Sequence, residues 1–447
     1  MPASALGMTS RLLPHLERVS KSSFVRNILI VMSGTAIAQV VGFALSPVIS
    51  RLFSPGDFGV FGAFNSVATI IAAGTTLEYT QAIMLPKEKA DAMNLFAVSC
   101  ACTLGMGFLC MIFCLLAPGA VNGLMKTEGI WALALLVLAS MMDGLNSSCQ
   151  AWCVRVKAFK RTSAAEVVRS TSSNSLQLAF GWLKGFGAAG LILSDMLANV
   201  LGSLTLSRMV IPDLKALRPS IRWERMKELA KEYRDFPKFS ATQNVVSALS
   251  SGLPVLLLTH YFGIVAAGAY AFAVRILWAP TSLLLRALRQ VLFQKAGETL
   301  HQGRSLTPLY VKTTAGLLAL ALVPCFALFI WSPPIFTLVF GERWHIAGEF
   351  ARNLVPWLLF AFCNLPAVLF ARLIRIQRTV FVYDLVMLAA RTLALVLGGL
   401  YLTASQSVLA FALVGAVMNA ILILIVGHAV MKSEGTVDWN ALRKSLS

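Results

Sequence analysis

Apolar runs about twenty residues long follow one another from residue 27 to residue 428, with few charges inside them. Each is long enough to cross about 30 Å of hydrocarbon as an α-helix. Only 13% of the 447 residues are charged and 57% are hydrophobic, too little charge to cover a water-soluble surface of this size. The solvent for most of this chain is therefore lipid, and the membrane part is the whole protein.

The pattern predicts an all-α membrane protein of about twelve transmembrane helices, at 27–50, 59–83, 94–117, 129–151, 164–183, 188–210, 241–262, 266–290, 311–332, 352–371, 379–402 and 406–428. The long charged stretch 211–240 divides them into an N-lobe, 27–210, and a C-lobe, 241–428, of six spans each. Residues 1–26 and 429–447 are basic tails. The first lacks an apolar core before a small-residue cleavage site and reads as a retained tail, not a signal peptide.

Net charge is +18, but the basic residues cluster between apolar runs, so membrane flanks facing anionic lipid explain it better than nucleic acid. The even-numbered connections and the tails carry 29 Lys and Arg residues, the odd-numbered connections only Arg51, Lys126, Lys184 and Arg343. The positive-inside rule then places both termini in the cytoplasm. Trp131, Trp182 and Trp331 fall at outer span ends, where interfacial indoles belong.

The two halves look related. Residues 52–61, LFSPGDFGVF, align without gaps on 261–270, YFGIVAAGAY, at an offset of 209, matching Phe53 to Phe262 and Gly59 to Gly268. Pro47 and Pro254 lie within two residues of equivalence. Six spans per half makes the repeat parallel, with a pseudo-two-fold axis along the membrane normal and substrate held between the lobes.

Charges inside the spans are costly, about 2.5–3.5 kcal/mol each even on lenient scales, and face protein or water. Asp143, Glu166, Arg169, Asp195, Arg275, Arg286, Arg352, Asp384 and Arg391 fall in this class, with Glu78 near the end of the second span. Arg275 and Arg286, eleven residues apart, share a helix face about 16 Å apart. Asp384 and Arg391 share another face, about 10 Å apart. Glu166 and Arg169 are i,i+3 neighbours and candidates to pair with each other. Guanidinium grips phosphate bidentately and keeps its charge, so Arg169, Arg275, Arg286 and Arg391 are the candidate substrate-binding cations. Asp143, Asp195, Asp384 and Glu78 are the candidate charge-balancing or ion-coupling acids. The alternative for each is a buried ion pair that fixes packing.

The fifth span, RSTSSNSLQLAF, is too polar for lipid and reads as the wall of a wet cavity, accompanied by Asn65, Asn146, Gln177, Asn199, Asn244, Asn364 and Asn419. The eight cysteines sit in or beside apolar runs, without a His or carboxylate to complete a metal set, and read as packing or lipid-facing residues. No P-loop, H-E-x-x-H or nucleophile elbow occurs. The reading is a transporter without cofactor or catalytic residue, driven by a proton or sodium gradient or by consumption of its product.

Residues 27–92 contain the phrase Arg51-Leu-Phe-Ser-Pro-Gly-Asp-Phe-Gly, then Ala82-Ile-Met-Leu-Pro86 and the charged turn Lys87–Asp91. Ala267-Gly-Ala-Tyr-Ala-Phe-Ala-Val-Arg275 is the second-half counterpart. These phrases resemble the oligosaccharide flippases of polysaccharide biosynthesis, the Wzx-type or O-antigen translocases of the MOP superfamily, over 25–95 and 240–300. The resemblance implies inward–outward alternation in a bacterial inner membrane. It also implies an undecaprenyl-diphosphate-linked oligosaccharide as substrate, for O-antigen, capsule or exopolysaccharide, and partnership with a downstream polymerase and chain-length regulator. One departure is Leu77-Glu78-Tyr79-Thr80, where family members often carry a basic and then an acidic residue. Two other classes remain. A cation-coupled drug exporter would favour a carboxylate-lined cavity over this arginine excess. A membrane glycan polymerase or ligase would need a longer outer loop than 333–351.

Overall fold

A computed structural model describes residues 23–433 except 303 and 375. The ends of both basic tails, 1–22 and 434–447, lie outside the described residues. Among the described residues sixteen α-helices run in chain order: α1 Ser23–Leu52, α2 Pro55–Thr75, α3 Tyr79–Ala82, α4 Lys89–Leu116, α5 Pro118–Met125, α6 Ile130–Arg155, α7 Phe159–Trp182, α8 Gly187–Leu217, α9 Trp223–Glu232, α10 Ala241–Phe262, α11 Ile264–His301, α12 Thr307–Phe340, α13 His345–Cys363, α14 Leu365–Leu373, α15 Gln377–Tyr401 and α16 Ala404–Ser433. No strand occurs among the described residues.

Among the described residues, ten helical stretches are long and apolar enough to cross a membrane, two fewer than the spans counted in the sequence. The two others are helices as well. The described apolar part of α1 is the shorter stretch Gln39–Leu52, and α7 is too polar to qualify. The second span ends at Thr75, not at 83. Apolar residues continue past it, but Leu77 and Glu78 both take positive φ, 47° and 58°, and turn the chain into the short α3.

Breaks between helices follow local chemistry. Ser54 accepts from the Asp57 N–H at 3.2 Å while Asp57 accepts from the Ser54 N–H at 2.8 Å, a capping box with Pro55 in the first turn that starts α2. At the equivalent place in the second half, Gly263 at φ 86° ends α10 and releases α11. The chain between α13 and α14 breaks at Asn364, just before Pro366, whose missing N–H cannot continue the ladder.

The same helix pairs pack in both halves. In the first, α1 lies on α7, α7 on α8, α4 on α6, and α6 on both α2 and α8. In the second, α10 lies on α15, α15 on α16, α12 on α13, and α13 on both α11 and α16. The halves meet chiefly where α2 crosses α10 and α11, whereas α1 barely touches α11. Large apolar side chains such as Leu116, Leu338 and Tyr401 are about four-fifths exposed, which suits acyl chains and not water.

One end of the bundle carries the basic connections. There Arg155 donates to the carbonyls of Ile83 and Pro86 at 2.8 and 2.7 Å and closes the turn before α4. Helix α9 of the linker docks on the first half through a bidentate pair of Arg225 with Asp91, at 2.7 and 2.8 Å, and through buried Leu229. At the opposite, sparsely charged end the halves share an aromatic core. The Trp344 ring lies 4.0 Å from that of Phe272 and 5.3 Å from that of Phe58, centroid to centroid.

Candidate functional site

Two polar cavities among the described residues bear on function. The first, about 340 Å³, sits at the boundary between the halves, walled by α1, α2, α7 and α8 of the first half and by α11 of the second. Its lining is polar because α7 turns its hydroxyl-rich face inward: Ser170, Ser173, Asn174 and Gln177 all border it, with Asn65 and Asp195. Arg169 and Arg275 enter from opposite halves.

The two arginines differ in how they are held. Arg169 is clamped by Glu166, Nη2 to Oε1 at 2.6 Å and Nε to Oε2 at 3.1 Å, the i,i+3 pairing expected from spacing. Arg275 makes no hydrogen bond or ion pair among the described residues. Its guanidinium lies 5.9 Å from the centre of the Phe58 ring, a cation–π distance, with Asp195 within electrostatic reach. Asp195 also feels Arg169 and accepts a long bond from Asn199 at 3.4 Å, and Asp143 interacts electrostatically with both Asp195 and Arg169. Arg286, exposed on α11, stands within electrostatic reach of Glu166. Three acids and three arginines thus form one cluster. The arginines of α7 and α11 are balanced here because α6, α7 and α8 bring their carboxylates to the same place.

The second cavity, about 750 Å³, lies among α10, α14, α15 and α16, bordered by Asn364. Its lining is rich in amides and hydroxyls, with Asp384 and Arg372 as its charges, and Gln81 reaches it from the first half. Asp384 and Gln243 border the cavity from neighbouring helices. Arg391, seven residues along the same helix, lines neither cavity. It is 6% exposed, 3.8 Å from the centre of the Phe411 ring and 5.0 Å from that of Trp357. The shared helix face runs from a cavity wall at Asp384 into the aromatic packing of α13 and α16 at Arg391, so the two lie in different surroundings. Arg352, on α13, lines neither cavity either.

Glu78 is 7% exposed and accepts from Gln81 at 2.6 Å and from Asn244 of the second half at 2.5 Å. It belongs to a link between the halves at the basic end. Gln39, Gln81, Gln243 and Tyr383 also border the cavities and escaped the sequence reading. A signal was there: Gln39 and Gln243 are polar residues in or beside otherwise apolar runs. All eight cysteines are free. Among the described residues no group of three His, Cys, Asp or Glu residues has metal-binding geometry.

Long apolar helices in two packed halves, with one polar cavity at their seam and another within the second half, define a multi-pass membrane protein. The fold agrees with an inward-facing multidrug resistance MATE family transporter of the MOP superfamily, at a TM-score of 0.67 and 16% identity over 90% of this chain and 99% of that one. It agrees equally with the lipid II flippase MurJ in an inward closed conformation, at a TM-score of 0.67 and 13% identity over 90% of each chain. In sequence, residues 48–348 match the family described as polysaccharide biosynthesis protein, and the chain belongs to that family. The succinoglycan biosynthesis transport protein ExoT of Rhizobium meliloti is 22% identical over 307 residues, 68% of this chain. That match spans 60% of the relative's own length. The chain is thus a member of the polysaccharide biosynthesis protein family whose fold is similar to those of the two solved membrane proteins.

Proposed function

We propose that this protein carries an undecaprenyl-diphosphate-linked oligosaccharide from the cytoplasmic to the periplasmic leaflet of a bacterial inner membrane, with both termini in the cytoplasm. The carrying observation is Arg275, a guanidinium without a direct partner that borders a polar cavity at the seam of the two halves. The diphosphate binds there by displacing the pull of Asp195, and charge-assisted bonds of this kind contribute about 1.5–3 kcal/mol each. Arg169 joins it from the first half and Arg286 attracts the anion on approach, while Arg391 holds the second half together.

The aromatic core around Trp344 closes the cavity toward the periplasm, and alternation opens that core as the basic end closes. Release of Asp195 from Arg275 leaves it beside Asp143, a pair able to share a coupling proton, with Asp384 and Glu78 as further acids for protons or sodium. The basic linker, with Lys227 and Lys231 on α9, lies against anionic headgroups. A polymerase and a chain-length regulator take the product on the far side. The succinoglycan transport of the similar Rhizobium protein and the lipid II flipping of MurJ support this substrate class.

The test is complementation of a deletion strain. Arg275→Ala should abolish surface polysaccharide while protein is still made, and Arg275→Lys should restore only part of it. Normal polymer with Arg275→Ala would overturn the assignment. A deletion that alters drug susceptibility but leaves polysaccharide intact would assign the exporter reading, which Asp143 and Asp195 favour.

A further inference from the structure

The larger cavity is not needed to hold a diphosphate, and its chemistry is different. Amides and hydroxyls from separate helices converge on it: Gln243, Asn244 and Ser247 of α10, Asn364 ahead of α14, and Asn419 of α16. An amide offers two donors and an acceptor with two lone pairs, the complement of a ligand covered in hydroxyls. One of these groups is incomplete. Asn364 donates to Asn419 Oδ1 at 2.8 Å, yet its own Oδ1 is buried and has no partner. An unpaired buried acceptor costs about 1–3 kcal/mol and calls for a donor from elsewhere.

Asn364 also stands where α13 and α14 part, and interrupted helices in transporters expose polar backbone to a bound substrate. Asp384 and Arg372, one of each sign, leave the lining without net charge. The volume, about 750 Å³, falls within the ordinary range for small-ligand sites and exceeds that of the arginine cavity. Gln243, Asn244 and Ser247 are exposed within it; Asn244 Nδ2 is engaged by Glu78, which leaves the Asn244 carbonyl oxygen and the polar groups of Gln243 and Ser247 facing the cavity.

From this chemistry we infer that the cavity among α10, α14, α15 and α16 is a saccharide subsite. It receives uncharged, hydroxyl-bearing sugar units while the arginine cavity at the seam holds the anionic end. The inference rests on the flippase reading and divides the substrate between two chemically distinct places. Gln81 reaches the cavity from the first half, so a glycan seated there touches both halves.

The test measures binding to the full-length protein in lipid nanodiscs, using undecaprenyl diphosphate and the same lipid carrying a neutral disaccharide. For wild type, the disaccharide should tighten binding at least tenfold. The double variant Gln243→Ala/Ser247→Ala should lose that gain and bind the bare lipid within twofold of wild type. Arg275→Ala should weaken both lipids. A double variant that keeps the gain, or a disaccharide that adds nothing to wild type, overturns the subsite and leaves the diphosphate reading standing. Absence of binding to either lipid overturns both. Unfolding temperatures of each variant separate lost binding from lost fold, and the Gln243→Asn single variant should restore at least part of the gain.

Discussion

Gly59 and Gly268, equivalent at the 209-residue offset, press reciprocally on each other's helices. A Cβ on Gly59 would strike the Ile264 carbonyl, and one on Gly268 would strike that of Pro55. Pro55 and Ile264 are themselves 209 apart, as are Gly62 and Ala271, where a Cβ on the glycine would sit 3.1 Å from the alanine methyl. Such reciprocity is what a local two-fold between α2 and α11 produces, and small residues let the backbones approach.

Gly59→Ala and Gly268→Ala should therefore each destabilise the protein by about 3 kcal/mol, the upper range for overpacking, because a backbone carbonyl cannot swing aside. Gly316→Ala, with nothing within 4 Å, is the control and should be neutral or slightly stabilising. Unfolding temperatures in detergent check this, and unchanged stability in both seam variants would refute the reciprocal contact.

The seam was partly legible in the sequence, since the 209-residue offset pairs Gly59 with Gly268, but nothing in it revealed that the two touch. Other features divide in the same way. Apolar run length located the helices, and the hydroxyl run of α7 marked a cavity wall because such residues have no place in lipid. The end of α2 was illegible: Leu77 and Tyr79 prolong the apolar pattern, and nothing local marks the positive φ of Leu77 and Glu78 or the long-range contact of Glu78 with Asn244. Arg275 and Arg391 look alike in sequence, each an arginine set among mostly apolar neighbours. Only the neighbouring helices decide that the first meets a polar cavity and the second two aromatic rings.

Arg391 accordingly carries a prediction opposite to that for Arg275. It sits between Phe411 and Trp357 without a carboxylate among its described contacts, and its Nε is unpaired. Cation–π contacts of this sort contribute about 0.5–2 kcal/mol, against the cost of burying the charge. Arg391→Met, which fills similar space without a charge, should keep both stability and transport. Arg391→Ala should lower the unfolding temperature by leaving a void. Loss of transport in a stably folded Arg391→Met would return this residue to the substrate path.

Asp195 and Arg275 lie on opposite halves within electrostatic reach of each other. Removing one leaves the other with less compensation, so Arg275→Gln should destabilise more than the double variant Arg275→Gln/Asp195→Asn. Unfolding temperatures of the single and double variants measure the coupling, and strict additivity would show the pair to be independent. If Arg275 also binds substrate, the double variant regains stability but not surface polysaccharide. Recovery of both would make the pair purely structural.

Trp344 supplies the last test, because it joins the halves at the sparsely charged end. Its Nε1 donates to the Ser50 carbonyl at 2.9 Å, and both residues are fully buried. Its ring packs on Phe58 of the first half and Phe272 of the second. These contacts belong to the conformation closed at this end, so weakening them raises the energy of that state and leaves a state open there less affected. Trp344→Phe removes the hydrogen bond, about 1 kcal/mol, and Trp344→Ala removes the packing as well, about 3–5 kcal/mol. A cysteine placed at Ser50, with the native cysteines replaced, should be protected from a membrane-impermeant maleimide added from outside. Labelling should rise about fivefold with Trp344→Phe and approach completion with Trp344→Ala, provided the variants remain folded. Full labelling with Trp344 intact would mean that this end is open at rest, and the direction of closure would have to be reversed.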